Sequence, residues 1–273
     1  MVRKSDMDKI AANLAAGKDV ELEFNLDQKW GKQARPQYNV VAEIKGTEKP
    51  DEVVIVSGHF DSWDGPGSQG ALDNGTGSCT ALEAARILCA TGVKPKRTIR
   101  FILWSGEEQG LFGSRGYVAR HMDEMDKISA VLVDDGGTNY QGGYEGIESQ
   151  KAIMEAAFAP IVDAFPGLSE VFRSRPQMPR GGGSDHASFN AVGVPGFFTI
   201  ETGRSDYNYV HHTQHDKYEM AIPEYLVQSS TNHAVVAYNL ACLDGLLPRG
   251  PKPEQTPDPS GVPGLDKLLQ SKN

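Results

Sequence analysis

Cysteine is scarce: three residues in 273, Cys79, Cys89 and Cys242, too few and too scattered for a disulfide framework or a thiolate zinc site. If residues 76–90 form one helix, Cys79 and Cys89 lie about 15 Å apart along it, at about 1.5 Å per residue, beyond the reach of a disulfide. The thiols therefore read as free and buried, and they leave the redox compartment open. A Lys/Arg-rich block is also missing. With 27 basic against 36 acidic residues and a net charge of −9, the chain has no electrostatic footprint for nucleic acid or an anionic membrane. No apolar run approaches the length of a membrane span, and residues 1–20 form an amphipathic polar stretch rather than a signal peptide. A soluble chain, mature or truncated, is the expectation.

What is present suits a globular enzyme: 39% hydrophobic and 23% charged residues with 30 glycines, enough for one large domain with a buried core. Ser5 is placed to cap a helix over 5–16 that Gly17 ends. The stretch VELEFNL (20–26) alternates like an exposed strand. Strands are expected at 38–45, 53–57, 98–105, 130–133 and 193–200, and helices at 80–91, 111–126, 149–164 and 223–245. Strands alternating with helices imply an α/β fold, a three-layer α/β/α sandwich around a central mixed, mostly parallel sheet. The expected organisation is an N-terminal helix and strand over 1–35, a catalytic domain over 36–247 and a Pro-rich tail over 248–273, where closely spaced prolines forbid regular structure.

Metal-capable residues fall where such a sheet would use them. His59 and Asp61 follow VVIVSG, Glu107 and Glu108 follow RFILWSG, and Asp134 and Asp135 follow AVLV. The carboxyl ends of strands line the ligand crevice of an open α/β sheet. A single His-Phe-Asp or Glu-Glu is ordinarily a surface turn or a solvated pair; acids and a histidine at three strand ends point to a cation, because adjacent acids beside an apolar strand are costly without one. Asp73 lies in GALDNGTGS, a glycine-rich turn entering a helix, which also fits a helix cap or a phosphate loop, although the Walker lysine is missing. The segment YVHHTQHD places three histidines within five positions, with Asp216 close behind.

The succession GHFDSWD, GALDNGTG, LWSGEEQGLFGS, DDGGTNY, GSDHASF and HHTQHD, in order over about residues 38–245, resembles the co-catalytic zinc exopeptidases of the aminopeptidase and glutamate carboxypeptidase family, in particular its plasma glutamate carboxypeptidase branch. The resemblance implies two Zn2+ per chain: His59 and Asp135 on one, Glu108 and His212 on the other, and Asp73 between them. It favours Asp135 over Asp134 and His212 over His211. Asp61 would accept the second N–H of His59, Glu107 would be the general base, and Asp73–Asn74 would be a non-proline cis peptide. Ser184 and Asp185, in a loop that borders the substrate pocket, together with Tyr207, Tyr209 and the backbone N–H groups of 180–185, are candidates to touch substrate.

The implied substrate is a short peptide or dipeptide cleaved near its free amino end, with Glu107 and Glu108 facing the ammonium. Arg180 or Arg204 pointing inward would instead favour carboxylate capture. The resemblance also implies a monomer or homodimer, secreted or periplasmic, and relatives that carry a signal peptide and a protease-associated domain, neither of which this sequence shows. Competing readings are a glutaminyl cyclase, which shares the scaffold but uses one zinc, and a non-catalytic receptor or scaffold domain. Six filled positions weigh against the last.

Overall fold

The structure is a computed structural model that describes residues 2–25, 27, 29, 35–179 and 182–251; most of the Pro-rich tail and Arg180 lie outside the described residues. The chain divides into two units, Met1–Pro36 and Gln37–Asn273. The first holds helix α1 (Lys4–Ala15), which starts one residue before Ser5, with Arg3 at the cap position and no side-chain cap bond. Gly17, at φ 70°, ends it. The expected strand in VELEFNL does not form: residues 20–25 carry no regular structure, and all but Val20 are exposed. Alternation puts Val20, Leu22 and Phe24 on one face, but Leu22 and Phe24 stay exposed, and a strand without a partner to pair with is not stable by itself.

The second unit is built on a seven-stranded sheet. Its strands are β1 (Val40–Ile44), β2 (Lys49–His59), β3 (Arg97–Trp104), β4 (Ile128–Val133), β5 (Tyr140–Ile147), β6 (Val171–Arg175) and β7 (Gly196–Thr202), in the order β1-β3-β2-β4-β7-β5-β6. The pairs β2/β3, β2/β4, β4/β7 and β5/β6 are parallel; β1/β3 and β5/β7 are antiparallel. Alternate residues of the central strands feed two cores. Val54, Val56, Ile99, Phe101, Ala130 and Leu132 pack under α2 (Thr76–Thr91), α4 (Glu148–Ala164) and α7 (Pro223–Ala241). Val53, Ile55, Ile102, Trp104, Val131 and Val133 pack under α3 (Phe112–Arg120) and α5 (His186–Asn190). Burial on both faces is why these strands read as near-continuous apolar runs, and the three-layer expectation holds.

Strands β5 and β6 were not expected. The β5 sequence, YQGGYEGI, hides its period behind glycines that close packing demands: a Cβ on Gly143, at φ +124°, would sit 1.8 Å from the Val171 carbonyl oxygen of β6. The buried-thiol expectation also fails, since Cys79 and Cys89 are exposed and Cys242 is half-buried, all three unbonded. Thr80, Ala81, Ala84 and Leu88 occupy the inner stripe of α2, and the helical phase turns residues 79 and 89 outward. No helix among the described residues is long and apolar enough to cross a membrane.

Candidate metal centre and active site

Because β2, β3, β4 and β7 are parallel, their carboxyl ends open on one edge of the sheet. β2 ends on His59, β3 leads through Ser105 and Gly106 to Glu107 and Glu108, and β4 leads into Asp134 and Asp135. Asp73 arrives from the turn Ala71–Gly75 that runs directly into α2, and its peptide bond to Asn74 is cis, as the resemblance implied. Gly77 lets this helix start press on the strand ends: a Cβ there would lie 2.2 Å from the Asp134 carbonyl oxygen and 2.4 Å from Asn74 Oδ1. The last contributor, His212, follows the short helix α6 (Tyr207–Val210) in a left-handed conformation, φ 54°.

These segments bring the five expected ligands together. His59 Nε2 lies 3.1 Å from Asp135 Oδ1 and 3.2 Å from Asp73 Oδ1. His212 Nε2 lies 2.8 Å from Glu108 Oε2 and 3.4 Å from Asp73 Oδ2. Asp73 thus stands between two pairs of donors. His211 is more distant, 3.8 Å from Asp73 Oδ2, and stacks on His212 with ring centroids 3.9 Å apart. Trp63 also stacks on His212, with ring centroids 5.6 Å apart.

Asp134 turns the opposite way from Asp135. Its carboxylate accepts from Gln141 Nε2 at 3.1 Å and lies 3.7 Å from His233 Nδ1, while its carbonyl oxygen accepts from Asn74 Nδ2 at 2.8 Å. Asp61 does more than the resemblance implied. Its carbonyl oxygen, 3.0 Å from His59 Nδ1, is nearer than its carboxylate Oδ1 at 3.5 Å, and the two carboxylate oxygens accept the backbone N–H groups of Glu107 and Glu108, each at 3.2 Å. Asp61 therefore fixes both the tautomer of His59, leaving Nε2 to face the acids, and the backbone that carries the paired glutamates.

The electrostatics are those of acids held together. Burial, then the charge of Asp135, pushes Glu107 up to about 9; burial and Asp73 push Glu108 up to about 7. Burial alone dominates at Asp134 and Asp185, each raised to about 7. Burial works against protonation of His59, yet hydrogen bonds with Asp135, Asp61 and Asp73 hold it well above the usual histidine range. Within this cluster Asp73 Oδ2 and Glu108 Oε1 are buried and take no hydrogen bond. Donor atoms of His59, Asp73 and Glu108, and again of Asp73, His211 and His212, fall within 4.8 Å of one another. Imidazole nitrogens and carboxylate oxygens without thiolate suit zinc in an open site, and buried carboxylate oxygens with no donor fit a cation better than a hydrogen-bond network.

A cavity of about 900 Å³ opens onto this cluster, with Glu107, Glu108, Tyr207, His186, Phe198 and Glu201 in its wall. Of the residues expected to touch substrate, Tyr207 lines the cavity, as do Gly182 and Gly183. Ser184 and Asp185 do not: both are fully buried, Ser184 Oγ and both Asp185 oxygens without hydrogen-bond partners. Tyr209 departs furthest from expectation, half exposed and stacked on His215 at 4.3 Å. Arg204 turns away to pair with Glu224.

One residue escaped the sequence reading, and another, Asp216, was noted there without a role. Glu201 sits at the carboxyl end of β7, lines the cavity and keeps Oε2 without a partner; the strand-end rule would have found it had the strand been carried one residue past Ile200. Asp216 is buried, and its carboxylate accepts the backbone N–H groups of Leu72 at 2.7 Å and Asp73 at 3.3 Å. It ties the histidine loop to the turn that carries Asp73. Asp216→Asn replaces one acceptor with a donor that faces an N–H. It is expected to weaken divalent-cation binding about 10–100-fold, the range for residues that orient ligands, as measured by chelator competition. An unchanged affinity would show that the turn keeps its shape without this carboxylate.

The sequence model of peptidase family M28 matches residues 39–237, a span that contains every residue of the cluster. The chain belongs to peptidase family M28. Mouse carboxypeptidase Q is 36% identical over 214 residues, covering 78% of this chain and 43% of that protein, so the chain spans less than half of this relative's length. A peptidase M28 precursor from Shewanella amazonensis has a solved structure that covers 92% of this chain and 54% of its own, at 30% identity and a TM-score of 0.73. The zinc aminopeptidase BSAP from Bacillus subtilis covers 72% of this chain and 49% of its own, at 26% identity and a TM-score of 0.57. Family M28 membership accords with the mixed sheet and with helices on both of its faces.

Proposed function

We propose that the chain is a metal-dependent exopeptidase that hydrolyses the peptide bond beside the free amino end of short peptides or dipeptides. The observation that carries this reading is the convergence of His59, Asp73, Glu108, Asp135 and His212, with two buried carboxylate oxygens that take no hydrogen bond. His59 and Asp135 would hold one zinc and Glu108 and His212 a second, with Asp73 shared between them; the zinc aminopeptidase among the similar structures supports the choice of metal. Bound zinc supplies a Lewis acid that polarises the scissile carbonyl and lowers the pKa of water.

Glu107 is not one of the five and is free to take a proton from the attacking water and pass it to the leaving amine. Its carboxyl rises to about 9 among buried acids, and positive charge among those acids brings it back toward a working base. The Tyr207 hydroxyl would donate to the oxyanion, in a cavity where burial and the acids Asp135 and Asp73 hold the phenol protonated. Glu107 and Glu108, with Glu201 in the same cavity wall, would face the peptide ammonium. The family supports a secreted or periplasmic site of action.

Metal analysis of the purified chain is expected to give about two zinc ions per chain, and the loaded chain to release free leucine from Leu-Gly but not from N-acetyl-Leu-Gly. Equal cleavage of the acetylated peptide would remove the amino-end reading. Conversion of Gln-Ala into a pyroglutamyl product, with one zinc bound, would replace hydrolysis by glutaminyl cyclisation.

A further inference from the structure

The cavity is strongly uneven in charge. Asp73, Glu107, Glu108, Asp135 and Glu201 crowd its inner part at the strand ends, and among the described lining residues the only Arg or Lys side chains are Arg115 and Arg173. Arg173 already has an acid: its Nη1 lies 3.6 Å from Glu145, which also pairs with Arg175. Arg115 has no acid within ion-pair distance among the described residues. A peptide with two free ends brings one charge of each sign into this space. Its ammonium suits the acids, and the same acids repel its carboxylate.

Arg115 is also held in register with the proposed base. Leu111 N–H donates to the Glu107 carbonyl at 2.9 Å, Phe112 N–H to Gly106 at 2.9 Å, and Arg115 N–H to Leu111 at 2.9 Å. A continuous run of backbone hydrogen bonds thus leads from the paired glutamates into the first turn of α3. Leu111, in the left-handed region at φ 62°, sets the angle at which the helix leaves. Leu111, Phe198 and Ile200 add apolar wall to the same cavity, whose volume of about 900 Å³ accommodates a small ligand.

We infer that Arg115 is the specificity residue that receives a carboxylate carried by the leaving residue of the peptide. The inference rests on the exopeptidase reading. A guanidinium presents paired donors that match a carboxylate in a bidentate contact, and the carboxylate comes either from the free carboxyl terminus or from an acidic side chain on the leaving residue.

The test compares Leu-Gly, Leu-Gly-amide and Leu-Asp-amide on the zinc-loaded chain, with Arg115→Ala, Arg115→Lys and, as a remote control, Arg204→Ala. The ratio of kcat/KM for Leu-Gly over Leu-Gly-amide is expected to be about tenfold or more in the parent chain, one bidentate charge pair being worth at least that factor. It should collapse toward one in Arg115→Ala, mainly through KM, recover in part in Arg115→Lys and stay as in the parent in Arg204→Ala. Leu-Asp-amide matching Leu-Gly would identify the side chain as a source, and its matching Leu-Gly-amide would identify the terminus. If Arg115→Ala keeps the parent's ratios for both Leu-Gly and Leu-Asp-amide over Leu-Gly-amide, the inference is overturned. If no peptide is cleaved, the exopeptidase reading fails by itself. Calorimetric binding of Leu-Gly against its amide, in the Glu107→Gln background with and without Arg115→Ala, still decides the role of Arg115: equal affinities throughout would remove it.

Discussion

Glu107→Gln is expected to retain its full zinc content and to lose turnover by about 10²–10⁴-fold, the range that a general base contributes. The amide keeps the shape of the side chain and cannot take a proton. The backbone that presents it stays fixed, because Asp61 holds the N–H groups of both Glu107 and Glu108. The five expected ligands are untouched. Steady-state kinetics on Leu-Gly beside metal analysis of the same sample checks both halves of the statement. Loss of zinc along with activity would make Glu107 a ligand; near-parental turnover would move the base elsewhere, with Glu201 next in line as a cavity carboxylate.

Chelation should have the other large effect, on stability as well as activity, and its size should depend on pH. Glu107, Glu108, Asp134 and Asp185 titrate at about 9, 7, 7 and 7 in the fold, against ordinary values of 4.5 for glutamate and 3.8 for aspartate. The folded, metal-free chain therefore binds more protons than the unfolded chain above the ordinary carboxylate range. Its stability falls as pH rises from there through the folded values. His59 acts in the same direction: its folded value is raised above 6.5, so its contribution is complete below 6.5 and is lost as pH rises through that higher value.

Zinc among these groups favours the deprotonated carboxylates and the neutral imidazole, which removes the slope. The chelated chain should melt highest near about pH 5 and lower toward about pH 9. Zinc at about a thousandfold excess over Kd should add about 4 kcal/mol, roughly 8–16 °C for a chain of this size, with the larger gain at high pH. Differential scanning calorimetry of both forms across that interval provides the check. Parallel melting curves would mean that the acids are balanced by something other than a cation. Activity should vanish on chelation and return with zinc.

The parts of this site that were legible in the sequence are those fixed by strand ends. Apolar runs such as VVIV and AVLV are unambiguous because both faces of a central parallel strand are buried, and the residues just after such a run must emerge at the sheet edge. The turn that carries Asp73 and the histidine loop became interpretable through the family resemblance, since nothing in their own periodicity says where they fold back. Neighbours on an extended backbone point opposite ways, so the choice between Asp134 and Asp135 depends on which side meets Gln141 and His233, and His233 comes from a helix about a hundred residues later. Loop aromatics were the least legible. Tyr207 and Tyr209 are two residues apart in a short helix, and the turn of the chain sends one into the cavity and the other onto His215. Nothing in the sequence sets Arg115 apart from any other helical arginine; its place in the cavity wall depends on how α3 leaves Leu111.

The bond pair from Asp216 to Leu72 and Asp73 has a bearing on how fast a cation leaves. A turn held by its own residues alone could swing aside and surrender its ion while the histidine loop stayed in place. Here the turn and the loop share one carboxylate, and Gln69 N–H closes the arrangement by donating to the Asp216 carbonyl at 2.9 Å. Opening either segment breaks bonds belonging to both, so departure is expected to be concerted rather than stepwise. The lifetime of a loaded state is then expected to depend on amide hydrogen bonds that never touch the metal, and to shorten in Asp216→Asn.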